Sequence, residues 1–224
     1  MIDKQVASAD EAVDCIHDEA TVLVSGFGDS GVPTELVDAL VRRGPRNLTL
    51  VSNNAGGYGR GGIQALLAAG QVRKIVCSYP ISPGSVVFQE LYGAGKIELE
   101  LVPQGTLSER IRAGAAGIGG FYVRTGVGTE LAAGKEVREM DGHTWLLEKP
   151  IKGDFALVKA RRADRWGNLD YYSVARSFGP VMAPAATTTI VQVQEMVELG
   201  AIHPEHVVTP GIFVHRVVCL PPAA

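Results

Sequence analysis

The chain has 224 residues, 46% of them hydrophobic and 20% charged, enough to bury one large core, and this balance excludes an intrinsically disordered protein. A formal net charge of -3, with 21 basic and 24 acidic residues interspersed, leaves no basic face for nucleic acid and no polybasic patch for a membrane. Cys15, Cys77 and Cys219 are too few and too widely spaced for a disulfide framework and read as reduced packing residues; the charged start of the chain and the lack of any 18-residue apolar run point to the cytoplasm.

Ser8 and Glu11 have capping-box spacing, and Ala9, Ala12, Val13 and Ile16 then recur on one face, which predicts a first helix. The β-branched run Thr21-Val22-Leu23-Val24 stops abruptly at Ser25-Gly26-Phe27-Gly28-Asp29-Ser30-Gly31, and an amphipathic helix pattern begins after Pro33. A buried strand thus hands the chain to a helix through a loop almost free of Cβ atoms. Such a loop lets a ligand touch backbone, and the first N–H groups of the helix are expected to face a negative charge, either a phosphate or a developing oxyanion.

Gly26, Gly28 and Gly31 satisfy the glycine part of the dinucleotide fingerprint, but the second strand ends in Asn53 and Asn54 where that motif requires an acidic residue. A phosphate or pyrophosphate ligand therefore stays open at this loop. Gly28-Asp29-Ser30-Gly31 also occurs around the nucleophile of trypsin-like proteases. That fold is all-β and needs an upstream histidine and aspartate, whereas this chain reads α/β and has only His17 upstream. Ser30 is expected to orient the loop or cap the following helix.

Further along, 47–52 reads as a strand running into the glycine-rich loop 53–59, 63–67 as a helix, 73–77 as a strand, 86–92 as a helix and 97–102 as a strand. The last strand enters Pro103-Gln104-Gly105, after which Thr106 and Glu109 again have capping-box spacing. This β-α-β-α-β rhythm requires crossover connections, hence an α/β fold with a mostly parallel sheet flanked by helices and with ligands at the strands' carboxyl ends. Three loops converge on that edge.

Residues 115–129, rich in glycine and aromatic residues and without a period, read as a long ordered loop. Strands are expected at 154–159 and 189–193, and a turn at 164–169. No repeat or composition break marks a boundary, so 1–224 reads as one domain. His203 and His206, with no third ligand nearby, read as a surface corner and not as a metal site. His143 and His215, and the arginine pairs Arg42, Arg43 and Arg161, Arg162, are expected to be structural or solvated.

Taken together, Ser25-Gly26-Phe27-Gly28 to Gly31-Val32-Pro33, Ser52-Asn53-Asn54-Ala55-Gly56, Val102-Pro103-Gln104-Gly105-Thr106-Leu107, Glu109-Arg110-Ile111-Arg112-Ala113-Gly114, Thr125-Gly126-Val127-Gly128-Thr129 and Val208-Thr209-Pro210-Gly211-Ile212-Phe213-Val214 resemble the alpha subunit of the two-subunit family I CoA-transferases. The resemblance is to those acting on 3-oxoacids and, through 164–169 and 178–183, on 3-oxoadipate. Asp18-Glu19 stands where the family signature has Asp-Gly, Ser25 where it has glycine, and Ser177 where it has asparagine.

The resemblance implies a ping-pong reaction in which a glutamate attacks an acyl-CoA thioester and becomes a glutamyl-CoA thioester that a second acid attacks. CoA would be a substrate, with no tightly bound cofactor and no metal. The family's nucleophilic glutamate precedes Asn-Gly, and none of Asn47, Asn53, Asn54 and Asn168 follows a glutamate. The nucleophile is therefore expected on a second, beta-type CoA-transferase subunit, in an α2β2 complex using succinyl-CoA and a 3-oxoacid. This chain is expected to supply Val24, Ser25, Gly26, Phe27, Gly28, Asp29, Ser30 and Gly31 toward CoA, Gln104 as a carboxamide donor to the reacting carbonyl, and Asn53 and Asn54 as pocket lining. A CoA-thioester hydrolase acting on ring-cleavage products, and more distantly a non-catalytic sugar-phosphate or ligand-binding module, are the competing readings.

Overall fold

The computed structural model describes residues 2–57, 62–82 and 85–220. The chain begins with β1 (Gln5–Val6) and α1 (Ala9–Val13), where Ser8 Oγ accepts from the Glu11 amide at 3.1 Å and Glu11 Oε2 accepts from the Ala7 amide at 2.9 Å. The capping box forms, with its return bond one residue earlier than the usual partner. Then follow β2 (Thr21–Val24), α2 (Thr34–Arg43), β3 (Leu48–Val51), α3 (Ile63–Ala68), β4 (Val72–Cys77), α4 (Val86–Gly93), β5 (Glu98–Leu101) and α5 (Gln104–Ala116). This is the predicted alternation.

The second half adds β6 (Phe121–Val123), β7 (Val137–Met140), β8 (His143–Glu148), β9 (Gly153–Lys159), β10 (Arg162–Asp164), β11 (Leu169–Asp170), α6 (Gly179–Met182), β12 (Ala186–Val193), β13 (Glu195–Val197) and β14 (Arg216–Cys219). The main sheet has the order β1-β14-β12-β9-β2-β3-β4-β5, and every neighbouring pair in it is parallel. Its central strands are buried on both faces, as an all-parallel sheet requires. Val22, Val24, Leu50, Ile75 and Leu157 pack toward the side holding Leu36 and Leu40 of α2, Leu66 of α3 and Phe88 of α4. Leu23, Val51, Val76, Ala156 and Val158 pack toward Leu107 and Ile111 of α5 and Met182 of α6.

Two expectations are corrected here. Residues 115–129 are not one loop, because α5 continues to Ala116 and β6 pairs antiparallel with β8 in a small sheet ordered β6-β8-β7. A three-residue strand between glycines is too short to display a period. The Thr106–Glu109 spacing is not a cap either: α5 starts two residues earlier behind Pro103, Thr106 is buried within it, and Glu109 pairs with Arg112 at 2.8 Å. Among the histidines, His203 Nδ1 accepts from the Glu205 amide at 3.2 Å, a local turn contact, and the described residues contain no cluster suited to a metal ion. No helix among them is long and apolar enough to cross a membrane.

The small sheet is fastened to α5 and β5 by charge. Arg110 reaches Glu100 at 2.8 Å and Glu148 at 3.8 Å, Lys74 reaches Glu100 at 2.6 Å, and Lys135 pairs with Glu148. Burial alone would raise the Glu100 carboxyl, but the hydrogen bonds and charges of Lys74 and Arg110 outweigh it and hold the group below its ordinary range.

At the turn before β2, Glu19 takes a left-handed φ of 65° where the family signature has glycine, with its amide on Arg46 O at 2.8 Å. A side chain in that region costs roughly 1–2 kcal/mol, partly offset by the extra freedom glycine loses on folding. Glu19→Gly should therefore stabilise the chain by about 0.5–1 kcal/mol, read as a rise of roughly 1–4 °C in Tm. An unchanged or lower Tm would show that the exposed Glu19 makes a compensating contribution.

Candidate active site

Strand β2 lies between β3, reached through α2, and β9, which arrives from the far end of the chain. Successive strands run outward from β2 to β5 and the order then reverses to β9, so the carboxyl end of β2 is a topological switch point, where a crevice opens in such sheets. The glycine loop occupies that point. Beside it, in sheet order, are the loops after β3, β4 and β5, bringing Asn53 and Asn54, Ser78 to Ser82, and Gln104 to the same edge.

A cavity of about 390 Å³ is lined by Phe27, Gly28, Asn53, Asn54, Ser78, Tyr79, Ser82 and Gln104. A smaller one of about 140 Å³ adjoins it, sharing Gly28 and Asn54 and adding Asp29, Val32, Thr34 and Gly56 among others. Three of the predicted regions therefore meet in one crevice. The loop after β4 joins them without any motif to announce it; its signal in the sequence is only that it follows a strand of the same sheet.

Within the crevice, Asn53 Oδ1 accepts from Gln104 Nε2 at 3.1 Å and from Ser78 Oγ at 2.9 Å. Asn54 forms a turn through its Oδ1, which accepts from the Gly56 amide at 3.0 Å, and ties the second loop to the first by donating from Nδ2 to Gly28 O at 3.3 Å. Ser82 and Ser85 both donate to Gly56 O, at 2.9 and 2.7 Å, fastening the β4 loop to the β3 loop. Tyr58 and Gly59, also placed in the second loop, lie outside the described residues.

The glycine loop is held from beneath. Buried Ser25 donates to Gly31 O at 2.9 Å and accepts from the Lys159 amide at 3.2 Å. Phe27 and Ser30 exchange backbone bonds at 2.9 and 3.1 Å, a tight turn whose tip is Gly28-Asp29. Of the eight residues assigned to CoA, only Phe27, Gly28 and Asp29 line the cavities. Val24 packs fully into the core, and Ser25, Gly26, Ser30 and Gly31 shape the loop from behind. An alternating strand turns Val24 toward one helical layer, and the hydroxyl of Ser25 is already engaged.

The helix after the loop differs from expectation as well. Leu36 N donates to Gln192 Oε1 at 3.3 Å, Val37 N to Pro33 O at 3.0 Å and Thr34 N to Val32 O at 2.9 Å, so these N–H groups at the start of α2 serve the protein and do not await a ligand. Gln192 projects from β12 and also bonds Glu35. Ser30 does not cap α2, whose N-cap is Pro33, and His17 instead packs edge-on against Phe155. Nothing protease-like is assembled among the described residues.

No glutamate and no cysteine lines either cavity among the described residues. Cys77, at the end of β4, is buried, and burial pushes its thiol up to about 12, against a smaller opposing effect of a Tyr79 backbone hydrogen bond. It stays protonated near neutral pH and cannot serve as a nucleophile. Among the described residues, the larger cavity thus offers carboxamides, hydroxyls and backbone to an acyl group, and the carboxylate of the crevice, Asp29, lines the smaller one.

The family model "Coenzyme A transferase" matches residues 6–220. The chain is 57% identical over 224 residues to the alpha-type subunit of the 3-oxoadipate CoA-transferase of Pseudomonas putida, covering 100% of this chain and 96% of the relative. It is 46% identical over 215 residues, 96% of this chain and 89% of the relative, to the corresponding subunit of a probable succinyl-CoA:3-ketoacid coenzyme A transferase of Bacillus subtilis. Among solved structures, an acyl-CoA transferase of E. coli O157:H7, captured as a thioester complex with CoA, superposes with a TM-score of 0.86 at 29% identity. It covers 100% of this chain, which spans about half that protein's length, 48%. A strand-edge crevice, a family match over nearly the whole sequence and a close full-length relative agree: the chain belongs to the Coenzyme A transferase family and is a CoA-transferase.

Proposed function

We propose that this chain is the alpha subunit of a two-subunit enzyme that moves CoA from succinyl-CoA to a 3-oxoacid, 3-oxoadipate in the first place, with the nucleophilic glutamate supplied by the partner subunit. The observation that carries this reading is the crevice itself, whose larger cavity gathers Asn53, Gln104 and the glycine-loop tip and, among the described residues, has no carboxylate or thiol in its lining, the nearest carboxylate being Asp29 of the smaller adjoining cavity. The names of the relatives support the substrates and the second subunit. An α2β2 assembly is the arrangement we favour.

In this scheme the partner's carboxylate attacks the thioester carbonyl and the CoA thiolate leaves, giving a mixed anhydride. The thiolate then attacks the glutamyl carbonyl of that anhydride, forming a glutamyl-CoA thioester and releasing succinate. The 3-oxoacid carboxylate repeats the two steps in reverse order, leaving with CoA. A carboxylate is a weak nucleophile in water, so each oxyanion needs fixed donors in a site that excludes solvent. Gln104, with one N–H engaged by Asn53 and the other remaining, provides a donor that does not ionise.

The purified chain alone should exchange no CoA between succinyl-CoA and 3-oxoadipate, and addition of the partner subunit should start the exchange. Turnover by the chain alone would refute the missing-nucleophile argument. Release of free CoA without a new acyl-CoA by the assembled complex would assign a hydrolase instead.

A further inference from the structure

Ser78 lies outside every recognisable motif, yet its hydroxyl meets the carboxamide of Asn53 in the middle of the crevice. An amide side chain can be turned by 180° with little change in shape, and only its partners decide whether oxygen or nitrogen faces a ligand. Here the partners decide. The main-chain carbonyl of Asn53 already accepts from the amides of Ser78 and Tyr79, both at 3.1 Å, which occupies its two lone pairs. Although Ser78 Oγ is also 3.0 Å from that carbonyl, its one proton is better placed on Asn53 Oδ1, at 2.9 Å.

With Gln104 Nε2 as the second donor, both lone pairs of Oδ1 are engaged by protein groups. Asn53 Nδ2 then points the other way. It has no partner among the described residues and is not among their buried unpaired atoms, so it opens into the crevice that Asn53 lines. An acyl oxygen gathering negative charge would meet an N–H donor there and not a repelling carbonyl oxygen.

We infer that Ser78 is a positioning residue for CoA transfer, fixing the Asn53 carboxamide so that its nitrogen, not its oxygen, faces the reacting carbonyl. The inference rests on the proposed transferase reading of this crevice. Removing the hydroxyl leaves Gln104 as the one donor to Oδ1, and the amide is free to turn its oxygen inward for part of the time. Substrate binding at the glycine loop is unaffected by that rotation; the effect falls on the transition state.

The test uses the complex assembled with its partner subunit, succinyl-CoA and 3-oxoadipate. Ser78→Ala should lower kcat about tenfold, the scale of one supporting hydrogen bond, with KM for succinyl-CoA within about twofold and Tm unchanged. Ser78→Thr, which keeps the hydroxyl, should restore most of kcat. Asn53→Ala should cost about 10²-fold, and Ser78→Ala should add nothing in that background. Full kcat in Ser78→Ala alongside a slow Asn53→Ala, or an undiminished Ser78→Ala effect in the Asn53→Ala background, overturns the inference. Full activity in both Asn53→Ala and Gln104→Ala overturns instead the reading of the crevice on which it rests.

Discussion

Gln104→Ala in the assembled enzyme should reduce kcat for CoA transfer by about 10²-fold while the protein folds normally, the scale on which loss of one fixed oxyanion donor slows acyl transfer. The expectation follows from where Gln104 sits. It is the first residue of α5, directly beyond β5, so its backbone is held by a helix whose inner face, Leu107 and Ile111, is fully buried. Its side chain is held in turn by the 3.1 Å bond to Asn53. A donor fixed at both ends needs little reorganisation when charge appears on the substrate. Truncation removes the donor and one of the two bonds that orient Asn53, so both groups are affected by a single change. Burst and steady-state measurements with succinyl-CoA would read the loss; full turnover would exclude Gln104 from the chemistry.

Gly31→Ala is the second large effect, and it should be felt in both stability and activity. Gly31 has φ 77°, and a Cβ built there would lie 2.3 Å from the carbonyl oxygen of Ala175, a backbone atom that cannot swing aside. The left-handed conformation alone costs an alanine roughly 1–2 kcal/mol, and forcing backbone apart in a packed region adds about 1–3 kcal/mol. A fall of roughly 10 °C in Tm is expected for a chain of this size. Gly44 provides the control, with φ 78° and nothing within 4 Å of its Cβ position, so Gly44→Ala should cost only about 1 kcal/mol. Equal losses in the two variants would show that φ, and not contact with the 172–178 segment, fixes Gly31. Because Ser25 donates to Gly31 O, displacement there should also spoil the loop tip and lower activity.

The first half of the fold is legible in the sequence because its helices and strands differ in period and are separated by glycine, proline or asparagine. Val22, Val24, Leu36 and Leu40 announce their elements before any tertiary contact is known. The second half is readable only at its long buried strands, β9 and β12. The pieces β6, β10, β11 and β13 are two or three residues long, and their partners, not their own patterns, make them strands. The crevice follows the same division. Glycines, Asn53 and Gln104 stand at strand ends and can be found, but Ser78 resembles any serine until a carboxamide is seen 2.9 Å away. The Leu36 amide at the start of α2 looks free in the sequence because its acceptor, Gln192, lies 156 residues away.

Ser25 holds the glycine loop through the Lys159 amide, a partner 134 residues further along, and its own amide donates to Leu157 O. On the ribosome, β2 to β5 and all the crevice residues emerge long before β9 does. Until β9 has been synthesised and inserted beside β2, the loop lacks these two anchors and β2 remains an open edge exposed to other strands. Binding competence at this edge is therefore acquired late in synthesis, although the residues that line it are made early.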